Sequence, residues 1–211
     1  MILNSKAKKI LCFGDSLTWG NFHSGIRFEL KDRWTYKMQE LLGTGFDVIE
    51  EGLRSRTTNI DDEEIPDRNG LTYFRACFES HDPVDILIYM LGTNDTKVKF
   101  NHGVESIIAG ISETLDWMNA FNQKRKISTR VILIAPPQIN VQYLKPSSSF
   151  DQSSNEKLIA LADKLGELAK QRNVSFIDLS KTMSGAQNDG VHLGVEDNEK
   201  IAEVLVPICL K

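Results

Sequence analysis

The sequence predicts an α/β fold, a three-layer α/β/α sandwich on a five-stranded parallel sheet, and three observations carry that reading. Apolar runs of strand length alternate with segments of helical period along the whole chain, the pattern left by repeated strand–helix units. Several runs are nearly continuous, 84–91 (VDILIYML) and 130–135 (RVILIA) above all, as expected of strands covered on both faces. The length of 211 residues suits a single domain with one buried core, so the whole chain is read as one unit carrying one site.

The first strand falls at 10–13, ahead of the turn GDSLTWG, and 20–31 follows as a loop. Asp32 is read as the cap of a helix over 33–42 that stops at Gly43. A strand over 47–50 leads into a second loop, 53–69, and Glu79-Ser80-His81-Asp82-Pro83 reads as a helix end before the third strand, 84–91. Ile107, Ile108, Ile111, Leu115 and Met118 form one stripe of a packing helix over 104–121. The fourth strand, 130–135, opens into a third loop, 138–152; Ser153 and Glu156 form a capping box ahead of a helix over 157–172. A fifth strand at 175–179 precedes a last helix over 196–209, whose final turn Pro207 is expected to fray. Each of the three loops leaves the carboxyl end of a strand, where open parallel sheets hold their ligands. They are the expected walls of a site.

Composition narrows the function. A net charge of -4 with 26% charged residues of both signs offers no electropositive footprint, so no nucleic-acid partner is expected. The amino terminus, MILNSKAKKILCF, lacks an apolar leader region and a small-residue cleavage site. The longest apolar stretches, 86–91 and 131–135, fall far short of the roughly 20 residues a spanning helix needs. A cytoplasmic protein without a membrane partner is the expectation. Cys12, Cys77 and Cys209 are odd in number and lack metal-site spacing, so neither a disulfide framework nor a metal is expected, and each is read as a small buried hydrophobe.

Three places could carry chemistry. The first strand breaks into Gly14-Asp15-Ser16-Leu17, which presents a hydroxyl at the sheet edge; the same turn also reads as an ordinary connection with Ser16 as a helix cap. A serine needs a base to take its proton. His23, His81 and His102 have ordinary loop or helix-end readings, whereas His192 lies in Asp189-Gly190-Val191-His192-Leu193, three positions after a carboxylate. Asp189 could there hold one imidazole nitrogen and leave the other to the serine, although a solvated Asp-Gly turn with a surface histidine fits the same residues. The third strand ends in Gly92-Thr93-Asn94-Asp95, where Asn94 could aim an amide at a developing oxyanion. That tetrapeptide is also simply a good turn.

Taken together, and in this order, Gly14-Asp15-Ser16-Leu17, Gly92-Thr93-Asn94-Asp95 and Asp189-x-x-His192 resemble three blocks of the SGNH (GDSL-type) hydrolase family, from residue 10 to the last helix. Stretches 48–53, 56–62 and 92–97 further resemble the bacterial arylesterase and acyltransferase branch. The resemblance implies a flavodoxin-like fold and a serine esterase that acts on short acyl esters, with possible transfer to alcohols or peroxide. It implies Ser16 as nucleophile, His192 as base, Asp189 as its orienting partner, and an oxyanion hole from Asn94 and the backbone N–H groups of Ser16 and Ser55. Ser55 departs from the family pattern, which has glycine there; the backbone donor survives the change. Asp15, Trp19, Gly92 and Asp95 are expected against the substrate, and Trp19, Phe22 and Phe28 either line the entrance or anchor their loop. No cofactor is implied, the partner is a small-molecule ester, and a homo-oligomer is expected from the branch. Carbohydrate deacetylation, lysophospholipid hydrolysis and a non-catalytic binding module on the same fold are the competing readings.

Overall fold

Five parallel strands build the sheet in the order β4, β1, β5, β6, β7: β1 (Lys8–Gly14), β4 (Phe46–Gly52), β5 (Ile86–Met90), β6 (Arg130–Ala135) and β7 (Ser175–Asp178). The computed structural model describes residues 4–23 and 25–211; the first three residues of the amino-terminal segment, Ser24 of the 20–31 loop and the side chain of His23 lie outside the described residues. Side chains alternate between two faces. Leu11, Phe13, Leu87, Tyr89, Val131 and Leu133 enter one core, while Ile10, Cys12, Ile86, Ile88, Ile132 and Ile134 enter the other. Both faces are covered, which is why the strands read as continuous apolar runs.

Helices α3 (Gly70–His81), α4 (Val104–Arg125) and α5 (Gln152–Arg172) cover the first face, and α2 (Trp34–Leu42) and α6 (Val195–Cys209) the second. A short α1 (Ser16–Trp19) follows β1, and the 20–31 loop folds into a hairpin of β2 (Asn21–His23) and β3 (Ile26–Arg27).

Four helix readings need correction. Asp32 does not cap α2: it ends a separate 3₁₀ turn, Leu30–Asp32, and the backbone N–H of Trp34 donates instead to Asn198 Oδ1 of α6 at 3.2 Å. A tertiary partner has taken the cap's place. Helix α5 starts five residues before 157, because Asp151 accepts from the Ser154 N–H at 3.1 Å and Ser154 Oγ accepts from the Asp151 N–H at 3.2 Å. Ser153 and Glu156 therefore lie inside it. Pro207 sits within α6, which continues to buried Cys209; so near the end, proline removes one backbone donor without breaking the packed turn. Helix α3 has no counterpart in the sequence reading beyond its end at His81. Its stripe of Leu71, Phe74, Cys77 and Phe78 has helical spacing, obscured by aromatic and β-branched neighbours that favour strands.

Register positions the site. Gly14 pairs with Gly52 on one side and Met90 on the other, so three strands end level and release their loops side by side at the carboxyl edge. A side chain at Gly52 would lie 2.1 Å from the Trp19 nitrogen, so only glycine lets α1 press onto the end of β4.

Candidate active site

The turn after β1 fixes Ser16. Asp15, rather than Ser16, caps α1, its Oδ1 accepting from the Leu17 N–H at 2.9 Å, and this sets Ser16 on the first helical turn with its side chain toward a cavity of about 500 Å³. His192 comes from the irregular segment before α6. Its Nε2 stands 3.0 Å from Ser16 Oγ, and its Nδ1 stands 2.7 Å from Asp189 Oδ2. A neutral imidazole bonded to a carboxylate carries its proton on Nδ1, leaving Nε2 to accept from the hydroxyl. The other carboxylate oxygen of Asp189 accepts from the N–H groups of Val191 and His192, both at 2.9 Å. Burial opposes the charged form of Asp189, but these bonds from His192 and the backbone outweigh it and bring the carboxyl down to about 2.

The second wall is the loop after β4. Leu53 N–H donates to the Gly14 carbonyl at 3.2 Å, and Arg56 Nη1 donates to the same carbonyl at 2.8 Å. The Arg56 guanidinium is buried 4.2 Å from the Phe13 ring centre. Between them Ser55 adopts φ of 64°, the left-handed region that glycine would occupy without strain. Asn94 ties this loop to the end of β5: its amide donates to the Arg56 carbonyl at 3.0 Å and reaches Asp15 Oδ2 at 3.3 Å. Burial raises the Asp15 carboxyl to about 6, against the bond from Leu17 and the nearby His192.

Ser16, Ser55, Asn94, Asp189 and His192 all line the one cavity. The four residues expected against substrate do not. Asp15 and Asp95 are buried behind the cavity, and Gly92 turns away with φ of 122°, where a side chain would strike Leu161. Trp19 lies under the Arg27 and Arg54 guanidinium groups, 4.8 and 4.9 Å from its ring centre. Phe22 and Phe28 pack on each other at 5.0 Å, so at least this pair anchors the loop. The expected walls are in place: Asn21 and Gly25 from the first loop, Arg54, Ser55, Ile65 and Arg68 from the second, and Lys145 with Ser147 to Phe150 from the third all contribute. The sequence reading passed over the cations on the cavity lining, Arg54, Arg68, Lys97 and Lys145, because a single basic residue in a loop carries no periodic signal.

Glu51, Cys77 and His81 also gather, their ligand-type atoms within 4.8 Å of one another. Here His81 Nε2 and Glu51 Oε1 are already bonded at 2.9 Å, and burial holds the Cys77 thiol up at about 12. The group has an ordinary structural reading. Among the described residues, no helix is long and apolar enough to cross a membrane.

Residues 12–198 match the model of the GDSL-like lipase/acylhydrolase family. Solved structures resemble the chain over nearly its whole length. A carbohydrate acetylesterase from Sinorhizobium meliloti is 31% identical with a TM-score of 0.89, over 96% of this chain and 98% of that one. The inhibitor-bound aryl esterase of M. smegmatis is 33% identical with a TM-score of 0.89, over 97% and 99%. A comparison with curated protein sequences finds no match.

Proposed function

Because the chain belongs to the GDSL-like lipase/acylhydrolase family and is a carboxylic ester hydrolase, we propose that it cleaves short-chain acyl esters through an acyl-enzyme on Ser16. The observation that carries this is the relay Ser16 Oγ, His192 Nε2, His192 Nδ1, Asp189 Oδ2, at 3.0 and 2.7 Å. Ser16 Oγ attacks the ester carbonyl carbon as His192 Nε2 takes its proton, and Asp189 stabilises the imidazolium. The oxyanion is met by the N–H groups of Ser16 and Ser55 and by the Asn94 amide, which gives up its 3.3 Å bond to Asp15 Oδ2 to reach it. Collapse breaks the bond to the leaving oxygen, which departs as an alcohol with the proton from His192. Water then attacks the acyl group, giving its proton to His192; Ser16 recovers that proton as the acid leaves. An alcohol or peroxide in place of water makes the second step acyl transfer.

A cavity of about 500 Å³ lies within the range of small-molecule pockets and supports short acyl groups. Likeness to the carbohydrate acetylesterase favours a second reading, in which the short acyl group is acetate on a sugar. Self-association belongs to the first reading, with Ile26 and Leu30, both 55% exposed beside the cavity hairpin, as candidate contacts; light scattering tests it. The main experiment labels the protein with a fluorophosphonate and follows a nitrophenyl ester series from acetate to decanoate, with acetylated sugars in parallel. Labelling lost in Ser16→Ala and rates falling with chain length support the proposal. Decanoate cleaved faster than acetate would replace the small pocket with a lipase-like groove.

A further inference from the structure

The cavity beside Ser16 has a charge the rest of the chain does not share. Arg54, Arg68, Lys97 and Lys145 all line it, in a protein of net charge -4. Among the described residues, the one carboxylate on the lining is Asp189, already bonded to His192. None of the four cations has a carboxylate oxygen within 4 Å among the described residues. Their neighbours are treated differently. Lys99, two positions from Lys97, is held by Asp62 and Glu64, and Arg27 and Arg33 of the adjoining wall are held by Glu50.

Two of the four are also incompletely satisfied. Lys97 is 7% exposed, its ammonium 5.8 Å from the Phe150 ring centre and without a hydrogen-bond acceptor among the described residues. Arg68 donates through Nη1 to backbone carbonyls, while its buried Nε has no partner. Desolvating a cation without pairing it is costly, and burial pushes Lys97 below the usual lysine range, with Asp62 opposing. A bound anion would reverse that cost.

We propose that the ester taken by this site carries an anionic group of the carboxylate or phosphate kind, bound by Lys97 and Arg68 with Lys145 and Arg54 at the rim. This deepens the esterase reading and rests on it. Four like charges around one cavity attract such a substrate and disfavour cationic ones, and salt weakens the attraction. The anion can sit on the acyl half or on the alcohol half of the ester.

Matched carboxylate and carboxamide esters test the proposal with the whole chain. Monoethyl glutarate against ethyl glutaramate places the charge on the acyl half; 4-acetoxybenzoate against 4-acetoxybenzamide places it on the alcohol half. In at least one pair, kcat/KM for the carboxylate should exceed that for the carboxamide by about tenfold in low salt, shrinking severalfold in 0.5 M NaCl. Lys97→Met should collapse the ratio, and Lys145→Met, at an exposed position, should lower it without risk to the fold. Cleavage of the carboxamides with ratios below about fivefold in both pairs overturns the proposal and leaves the esterase standing. Failure to cleave any of the four, with no fluorophosphonate labelling of Ser16, overturns the esterase reading itself.

Discussion

Asp95, fully buried in the 3₁₀ turn Asn94–Thr96 that follows β5, accepts three hydrogen bonds from Thr58: two from its N–H, at 2.9 and 3.1 Å, and one from its hydroxyl at 2.6 Å. The bonds cross from one strand's loop to another's and hold the segment that carries Ser55. Asp95→Ala leaves buried donors unpaired and should cost about 2 kcal/mol of stability, measured by urea unfolding. It should also lower kcat about tenfold, since a small misplacement of the oxyanion donor is felt in the transition state. Asp95→Asn, which keeps one acceptor, should recover part of both. If Asp95→Ala loses stability while kcat stays at the parent's value, the clamp does not steer Ser55.

Ser16→Ala and His192→Ala remove partners that face a cavity rather than a packed core. Each should lower kcat by roughly 10³ or more, with the melting temperature of Ser16→Ala within about 2 °C of the parent's and that of His192→Ala lower by a few degrees, because Asp189 loses its partner. A folded Ser16→Ala variant with full activity would end the proposed chemistry.

Ser55 holds φ of 64°, a conformation costing a non-glycine residue about 1 kcal/mol. Ser55→Gly should therefore raise stability by about that amount and keep kcat, because glycine supplies the same N–H. A fall of tenfold or more in kcat for this variant would assign the hydroxyl a part in the reaction. Proline is no probe here, since its fixed φ of about -65° cannot reach this conformation.

The two carboxylates around the triad respond to pH with opposite sign. Asp189, brought down to about 2, contributes stability that is present above its ordinary value of 3.8 and is lost as pH falls toward 2. Asp15, raised from 3.8 to about 6 by burial, binds its proton more tightly folded than unfolded. Folding is therefore favoured as pH falls from 6 to 4, and above 6 the buried charge costs up to about 3 kcal/mol. Asp15→Asn should melt higher than the parent at pH 7.5, with the gain vanishing near pH 4, and should lose activity because Asn94 loses an acceptor. A melting difference independent of pH would mean that Asp15 does not titrate in this range.

The chain determines by itself what is periodic or contiguous. Strand runs such as 130–135 are legible because both faces of the sheet are buried, and Asp189 and His192 announce a pair because they sit on one turn. The order of the three blocks identifies the family because each follows a strand end. Local chemistry also misleads where a tertiary partner competes: Asp32 offers a cap, but Asn198, 164 positions away, takes the Trp34 N–H. Ser16 and His192 are 176 positions apart, and only the level ends of β1, β4 and β5 bring their loops to one edge. Asp15 and Asp95, polar and beside the key residues, look like substrate contacts in the sequence; the fold buries them as clamps. The four cations have the opposite history. Scattered over three loops, they share no spacing, and their charge becomes a property of one place only when those loops close around the cavity.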